Sequence, residues 1–265
     1  MFDREVLPWL QKEVLSPVGF ACRTLRSTGI GESRVEEQLK DRIQPLVEKG
    51  LEIGYCARTG EVDVRVIARG AEAESLVDEA VALVLDSFGN SIYGEDDERL
   101  EEVIIRDLSK AGQSLALAES CTGGYVAHRL TNVSGASAVL ESGLVTYSNE
   151  AKMRLLGVAQ ATLDTYGAVS KETAKEMAEG ARRFAGSDFA LSITGIAGPS
   201  GGSEEKPVGT VFIGLADPER TRVMKCFNPV DRESFKYMTS QQAFEILRRV
   251  QRKQDPSPVS NTSQS

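Results

Sequence analysis

The spacing of apolar residues divides residues 1–95 into short segments with two different periodicities. Alternating apolar and polar positions are typical of a strand, and apolar positions that recur every three or four residues are typical of an amphipathic helix. Ser33 is predicted to cap the first helix, and Arg58–Glu61 is predicted to form the turn of a hairpin. In chain order the pattern predicts a strand at 19–26, a helix from 33 through 43, strands at 51–57 and 62–68, a helix at 71–88 and a strand at 90–93. The order β-α-β-β-α-β indicates a small α+β unit.

A polar joint, Asp96–Arg99, precedes a second region in which strands alternate with helices. The pattern predicts helices at 98–111, 122–131, 150–156, 170–185 and 231–252, and strands at 114–118, 139–148, 189–193, 208–215 and 221–227. Strands that alternate with helices imply a layered α/β sheet. The tail from Gln254 is rich in serine and proline, so we expect it to be disordered. The predicted domains are therefore 1–95 and 96–253, followed by a disordered tail at 254–265.

Composition narrows the class of protein. The formal net charge is −8, which argues against nucleic acid as a partner, because phosphate binding draws on clustered lysine and arginine. The four cysteines form no CxxC pair, and the single histidine has no ligand-spaced companion, so we expect neither a zinc site nor a disulfide framework. The start of the chain lacks a signal-peptide core, and no apolar run approaches about 18 residues. We expect a cytoplasmic protein with reduced cysteines and no membrane partner.

The stretch AESCTGG, residues 118–124, lies between a predicted strand and a predicted helix. Backbone N–H groups at a helix N-terminus are unpaired and partly positive, and would stabilise the oxyanion formed when Ser120 attacks a carbonyl. The glycines Gly123 and Gly124 would let a substrate approach the backbone closely. His128 lies about two helical turns further along, which is a poor position for a Ser–His pair. A plain helix cap followed by a glycine turn is the structural alternative.

A serine nucleophile needs a base, because its hydroxyl is a poor nucleophile on its own. The stretch VTYSNEAK, residues 145–152, places Lys152 near the start of a helix that Ser148 or Asn149 would cap. Desolvation and the positive field of the helix start would both lower the pKa of this lysine, as a Ser–Lys mechanism requires. Tyr147 would share or relay the proton. The structural alternative is a surface lysine beside a packed tyrosine.

A long glycine-rich loop at residues 192–209 follows a predicted buried strand. Such loops present successive N–H groups to an anion, often a phosphate. The loop lacks the terminal Gly-Lys-Ser/Thr of a Walker sequence and is not a strand-to-helix GxGxxG turn. Arg232, at the start of the last helix, is a candidate phosphate ligand. A flexible hairpin loop and a solvated arginine are the alternatives. Together the three stretches indicate hydrolysis of a phosphorylated small molecule.

Five motifs, AESCTGG, VTYSNEAK, GAVS, TGIAGPSGG and EEKPVGTV, together resemble the C-terminal domain of the CinA (competence/damage-inducible protein A) family over residues 98–252. That domain is the PncC-type nicotinamide-nucleotide amidohydrolase. The first 95 residues, with LRSTGIGES, GEVDVRVIARG and IYG, resemble the KH-like middle domain of the same family. The resemblance implies a three-layer α/β/α sandwich over a mixed sheet, preceded by a small α+β unit. The family's N-terminal molybdopterin-binding-like domain is missing, so we do not expect ADP-ribose pyrophosphatase activity.

The resemblance also implies an activity, which is hydrolysis of the carboxamide of nicotinamide mononucleotide (NMN) to nicotinic acid mononucleotide and ammonia. By motif match Ser120 is the nucleophile, Lys152 is the general base and Tyr147 is its partner. The resemblance implies no metal and no organic cofactor, and it implies a homodimer. The positions expected to hold the nucleotide are Thr122, Gly123, Gly124, Thr194, Gly195, Ala197, Gly198, Gly201, Gly202 and Arg232.

Three residues beside these positions have no settled role. Glu119 matches a family position without an assigned function. Cys121 is a rival nucleophile, since a thiol is intrinsically more reactive than a hydroxyl. Many relatives have a second arginine in the last helix where this chain has Lys236. Any contribution of a second arginine to the site is therefore in doubt here.

Other functions remain open. One alternative is a nucleotide-sensing regulatory or binding module, and another is hydrolysis of a different pyridine or nucleotide amide. Nucleic-acid binding by the KH-like unit is not expected, because Gly29–Glu32 lacks the GXXG loop of RNA-binding KH domains and Glu32 would repel a phosphate. Packing or dimerisation is the expected role of this first unit.

Overall fold

The computed structural model describes residues 19–256, which divide into two units, one up to Asp97 and one from Glu98. Of the tail that the sequence predicts to be disordered, residues 257–265 lie outside the described residues, and 254–256 form no helix or strand. Within the described part of the chain, no helix has both the length and the apolar composition needed to cross a membrane.

The first unit is a four-stranded antiparallel sheet with two helices packed against it. The strands lie in the order β2-β3-β1-β4. The apolar sides of the helices pack on Leu25, Val64 and Val66, which lie on one face of the sheet. The elements are β1 (Phe20–Thr28), α1 (Glu32–Val47), β2 (Glu52–Arg58), β3 (Glu61–Arg69), α2 (Ala73–Phe88) and β4 (Ile92–Glu95).

The predicted order β-α-β-β-α-β is confirmed, but the predicted cap of the first helix is wrong. Helix α1 begins at Glu32, so Ser33 lies inside the first turn. Gly31 precedes the helix in an extended conformation, and its carbonyl accepts a hydrogen bond of 3.1 Å from the N–H of Val35. Since glycine has no side chain, this helix start has no side-chain cap.

The second unit is built on a five-stranded mixed sheet with the strand order β6-β5-β7-β8-β9. Strand β5 pairs in parallel with both β6 and β7, whereas β8 and β9 continue the sheet in antiparallel fashion. The elements are α3 (Leu100–Ala111), β5 (Leu115–Glu119), α4 (Tyr125–Thr131), β6 (Leu140–Val145), α5 (Asn149–Leu156), α6 (Gln160–Tyr166), α7 (Lys171–Ala185), β7 (Phe189–Gly195), β8 (Thr210–Ala216), β9 (Thr221–Phe227) and α8 (Arg232–Gln251).

Helices cover both faces of this sheet. Helices α5, α6 and α7 pack on one face through a cluster that includes Ala116, Ala118, Met177 and Ala190. Helices α3, α4 and α8 contact one another, and α4 and α8 also contact strands of the sheet. Strand β5 is buried along its full length between these layers. The expected three-layer α/β/α sandwich over a mixed sheet is confirmed.

Several predicted boundaries in this unit were wrong, and glycines account for two of them. The helix predicted at 122–131 begins only at Tyr125, because Gly123 and Gly124 have φ values of 64° and 95°, which a right-handed helix excludes. The strand predicted from 208 begins at Thr210, after Gly209 with φ 101°. The strand predicted at 139–148 ends at Val145. Helix α6 was not predicted, since seven residues are too few to show a helical periodicity.

Candidate active site

The sheet register brings the three predicted motifs to one edge. Glu119, the last residue of β5, lies opposite Val145 at the end of β6 and opposite Ile193 near the end of β7. Because these strands are parallel, their carboxyl ends meet at the same edge, as is usual for sites in α/β proteins. The nucleophile turn (residues 120–124), the base turn (146–152) and the glycine-rich loop (196–209) therefore start beside one another.

Ser120 and Lys152 are in direct contact. The Nζ atom of Lys152 lies 3.1 Å from Oγ of Ser120, 2.9 Å from the carbonyl oxygen of Thr146 and 3.4 Å from that of Tyr147. Ser148 caps helix α5 by accepting the N–H of Ala151 at 3.1 Å, which fixes the start of the helix and hence the direction of Lys152. Of the two caps that the sequence allowed, the structure has Ser148.

The surroundings of Lys152 favour its neutral form. Its side chain is 1% exposed, and within residues 19–256 it forms no ion pair with a carboxylate. Burial lowers the pKa of Lys152 below its ordinary value, against a smaller opposing effect from Cys121. A neutral amine has two N–H donors and one lone pair. The two donors suit the carbonyls of Thr146 and Tyr147, which leaves the lone pair for the Ser120 hydroxyl.

Tyr147 joins the site in a different way from the one predicted. Its carbonyl oxygen, not its hydroxyl, faces Lys152. The phenol is 62% exposed, and its oxygen accepts a hydrogen bond of 3.1 Å from Arg232. The other guanidinium nitrogen of Arg232 donates to the carbonyl of Gly198 at 2.9 Å. Arg232 thus ties the base turn to the glycine-rich loop, and the structure does not bring the Tyr147 hydroxyl to the Ser–Lys pair.

Glu119 has a role that the sequence did not reveal. Its side chain is 1% exposed and accepts the backbone N–H groups of Gly124 at 3.0 Å, Val126 at 3.1 Å and Ala127 at 2.8 Å. The first N–H groups of α4, which we expected to stabilise an oxyanion, are therefore occupied by this carboxylate. Among the described residues, the N–H groups of Cys121 and Thr122 donate to no other residue, so they remain as candidate oxyanion donors.

The polar atoms next to Ser120 differ in how well they are satisfied. The hydroxyls of Thr122 and Thr146 are buried and have no hydrogen-bond partner among residues 19–256. Buried hydroxyls usually have a hydrogen-bond partner, so these two hydroxyls are notable beside a candidate nucleophile.

Cys121 is also buried, and burial raises the pKa of its thiol to about 12. The thiol is therefore protonated at neutral pH, which argues against Cys121 as the nucleophile.

The glycine-rich loop frames the other side of the site. Thr194, at the end of β7, is buried, and its hydroxyl donates to the carbonyl of Ala168 at 2.6 Å. A side chain at Gly195 would meet the carbonyl of Thr210 at 2.7 Å, so the loop leaves the sheet through a position that excludes Cβ. Ala197 and Gly198 are buried, whereas Gly201 and Gly202 are exposed at the tip. No group of histidine, cysteine, aspartate or glutamate side chains in the described part of the chain could hold a metal ion.

Comparisons with known proteins cover both units. The CinA C-terminal domain model matches residues 97–251, and the CinA KH domain model matches residues 22–94. A relative from Caldanaerobacter subterraneus is 45% identical over 254 residues, and a CinA-like protein from Kosmotoga olearia is 41% identical over 253 residues. Each alignment covers 94% of this chain and 60% of the relative, so the chain spans about 60% of the length of these relatives.

Solved structures also match the chain, over somewhat more than half of its length. The chain is similar to the competence/damage inducible protein CihA from Agrobacterium tumefaciens, with 43% identity and a TM-score of 0.55 over 56% of this chain and 91% of that one. It is also similar to a CinA superfamily protein from Klebsiella pneumoniae, with 33% identity and a TM-score of 0.57 over 58% of this chain and 96% of that one. Because the C-terminal domain model alone matches more than half of the chain, and relatives align along 94% of it, the chain belongs to the CinA family.

Proposed function

We propose that the chain is an amidohydrolase that converts NMN to nicotinic acid mononucleotide and ammonia. The observation that carries the proposal is the 3.1 Å contact between Ser120 Oγ and the Nζ atom of a buried lysine without a carboxylate partner among residues 19–256. A lysine in such a position serves as a general base at lower pH than a solvated one.

In the acylation step, Ser120 attacks the carboxamide carbon of NMN. The lone pair of Lys152 accepts the hydroxyl proton as the new C–O bond forms. The negative charge that develops on the carboxamide oxygen is stabilised by the N–H groups of Cys121 and Thr122. When the tetrahedral intermediate collapses, the ammonium of Lys152 returns its proton to the departing nitrogen. Ammonia leaves, and an ester between the nicotinoyl group and Ser120 remains.

Hydrolysis of this ester repeats the sequence with water as the nucleophile. Lys152 takes a proton from the attacking water, and the new intermediate collapses with cleavage of the ester C–O bond. The proton passes from Lys152 to the Ser120 oxygen, which restores the free enzyme. Every proton is transferred by one side chain, so the step requires neither a metal nor a redox partner.

The rest of the site supports a nucleotide as substrate. In the glycine-rich loop, the backbone N–H groups of Ala197, Gly198 and Gly201 donate to no other residue in the described part of the chain. Such N–H groups are suited to bind an anion. Arg232 brings a permanent positive charge to the same side of the site. Tyr147 then contributes through its carbonyl to Lys152 and through its hydroxyl to Arg232.

The proposal is tested by measuring ammonia and nicotinic acid mononucleotide released from NMN. The wild type should release equal amounts of both, and Ser120→Ala should release neither while still binding NMN. Ser109→Ala is the matched control, because Ser109 is exposed near the end of α3, away from the motif edge. Folded wild type that binds NMN without releasing ammonia would reject the hydrolase and favour a nucleotide-sensing module.

A further inference from the structure

A second cation faces the nucleophile turn from helix α8. A methyl group built on Gly123 would lie 3.9 Å from Nζ of Lys236, so this amine sits directly against the turn that carries Ser120. The side chain of Lys236 is half-buried. Gly123 has φ 64° and no side chain of its own, which keeps the space in front of the amine open.

Lys236 and Arg232 point to the same side because they are four residues apart on one helix. The two side chains differ in their hydrogen bonds. Arg232 already donates to Gly198 and Tyr147, whereas Lys236 forms no hydrogen bond and no ion pair within residues 19–256. The side chain that is held in place is the arginine, and the charge that is available to a ligand is the lysine.

The chemistry of this pair indicates an anionic ligand. A lysine ammonium is a compact charge with three N–H donors, and it binds phosphate oxygens as a point charge. A half-buried ammonium that lacks a carboxylate partner gains most from a ligand of opposite charge, because the local dielectric is lower than in water. Its position against Gly123 keeps it on the same side of the sheet edge as the nucleophile.

We propose that Lys236 binds the phosphate of the substrate and makes the site select a mononucleotide over the corresponding uncharged nucleoside. Arg232 acts beside it mainly as a positioning residue for the loop and for Tyr147. This inference rests on the proposed function, because it assigns the part of that substrate which Lys236 contacts.

The kinetic test compares NMN with nicotinamide riboside, which lacks the phosphate. Lys236→Met should raise KM for NMN about tenfold or more and change kcat by less than threefold, in line with the loss of one charge-assisted hydrogen bond. The kcat/KM for the riboside should not change, and Lys236→Arg should restore most of the selectivity. The matched control is Lys110→Met, which removes the same charge from an exposed position at the end of α3. An equal loss on both substrates, or no change on either, would overturn the assignment.

A binding measurement separates this inference from the proposed reaction. Calorimetry of NMN with Ser120→Ala should give a dissociation constant about tenfold lower than with Ser120→Ala/Lys236→Met, and the difference should shrink as salt is added. Such a difference in a protein whose wild type releases no ammonia would reject the hydrolase and keep the phosphate site. Equal affinities, or no binding of NMN to either variant, would reject the phosphate site even if the wild type hydrolyses NMN.

Discussion

Two buried cations of the second unit, Arg129 and Lys152, occupy very different surroundings. Arg129, on α4, donates to Glu101 at 2.5 Å, to Ser240 at 2.6 Å and to Gln241 at 2.5 Å. Lys152, on α5, contacts two backbone carbonyls and one hydroxyl but no carboxylate within residues 19–256. Arg129 has three hydrogen-bond partners in the layer of helices, one of them a carboxylate, whereas Lys152 lies at the sheet edge where three motifs meet.

The difference shows that a buried basic side chain can serve either the stability of the fold or the chemistry of a site. Taking a charge out of water costs several kcal/mol, and the carboxylate of Glu101 offsets that cost for Arg129. No carboxylate within residues 19–256 offsets it for Lys152, so the cost appears as a lowered pKa. A buried group with a perturbed pKa beside a nucleophile is typical of a catalytic site, while a paired buried group is typical of a scaffold.

The largest effect is expected for Lys152→Arg, which tests whether Lys152 acts as a neutral base. The substitution keeps a positive charge and removes the possibility of a neutral base. We expect kcat for NMN to fall about 10²–10⁴-fold, the usual contribution of a general base, because arginine stays protonated. Lys152→Met should lose a similar factor, yet its free energy of unfolding should be unchanged or higher, since a buried amine without a carboxylate partner is removed. The measurements are steady-state ammonia release and chemical denaturation; retained activity in both variants would contradict the account.

The opposite result is expected for Glu101→Ala. Removing the carboxylate leaves the Arg129 guanidinium buried without its ionic partner, which costs about 3–5 kcal/mol of folding free energy. The folded fraction should keep kcat within a few-fold, because Glu101 touches none of the reacting groups. Urea denaturation gives the first quantity and activity at low temperature gives the second. A large loss of kcat with unchanged stability would mean that Arg129 and Lys152 do not differ as argued.

The pH dependence sharpens the claim about Lys152. The base must be neutral, so kcat/KM should fall about tenfold per pH unit below the pKa of Lys152 in the free enzyme and level off above it. Because burial lowers that pKa, the inflection should lie clearly below about 10.4, the value of a solvated lysine. A rate that is flat down to acidic pH, or an inflection at the solvated value, would remove the reason for assigning Lys152 as the base.

The smallest effect is expected for Cys121→Ala. With a thiol pKa of about 12, Cys121 is protonated at working pH and contributes packing and a backbone N–H, neither of which depends on sulfur reactivity. The variant should retain kcat within a few-fold, measured by ammonia release. It should also resist inactivation by thiol reagents no better than the wild type. A loss of kcat in Cys121→Ala as large as that in Ser120→Ala would instead identify the Cys121 sulfur as the nucleophile.

The sequence predicted those features that depend on neighbours along the chain. Periodicity located the strands that end at the motif edge, and the step from β6 into a helix placed Lys152 near a helix start. Once β5 and β6 are taken as parallel neighbours, the meeting of Ser120 with Lys152 follows from topology.

Features that depend on side-chain direction were not predictable. Glu119 turns back to cap the helix that starts beyond Gly124, and nothing in a strand-end glutamate signals that the N–H groups that donate to it lie five to eight residues ahead. Tyr147 shares a motif with Lys152, yet its exposed ring turns toward Arg232, 85 residues away. The sequence marks Lys236 only as a departure from the family pattern, because its closeness to Gly123 arises from the packing of α8.

The most direct test of the central claim, that Lys152 activates Ser120 as a nucleophile, is to trap the ester intermediate. Wild-type protein turning over NMN in the presence of hydroxylamine should form the hydroxamate of nicotinic acid mononucleotide, at the expense of the acid. Cys121→Ala should form it as well, whereas Ser120→Ala and Lys152→Arg should not. Undiminished release of nicotinic acid mononucleotide without any hydroxamate would mean that water attacks NMN directly, and hydroxamate formation by Ser120→Ala would place the nucleophile elsewhere.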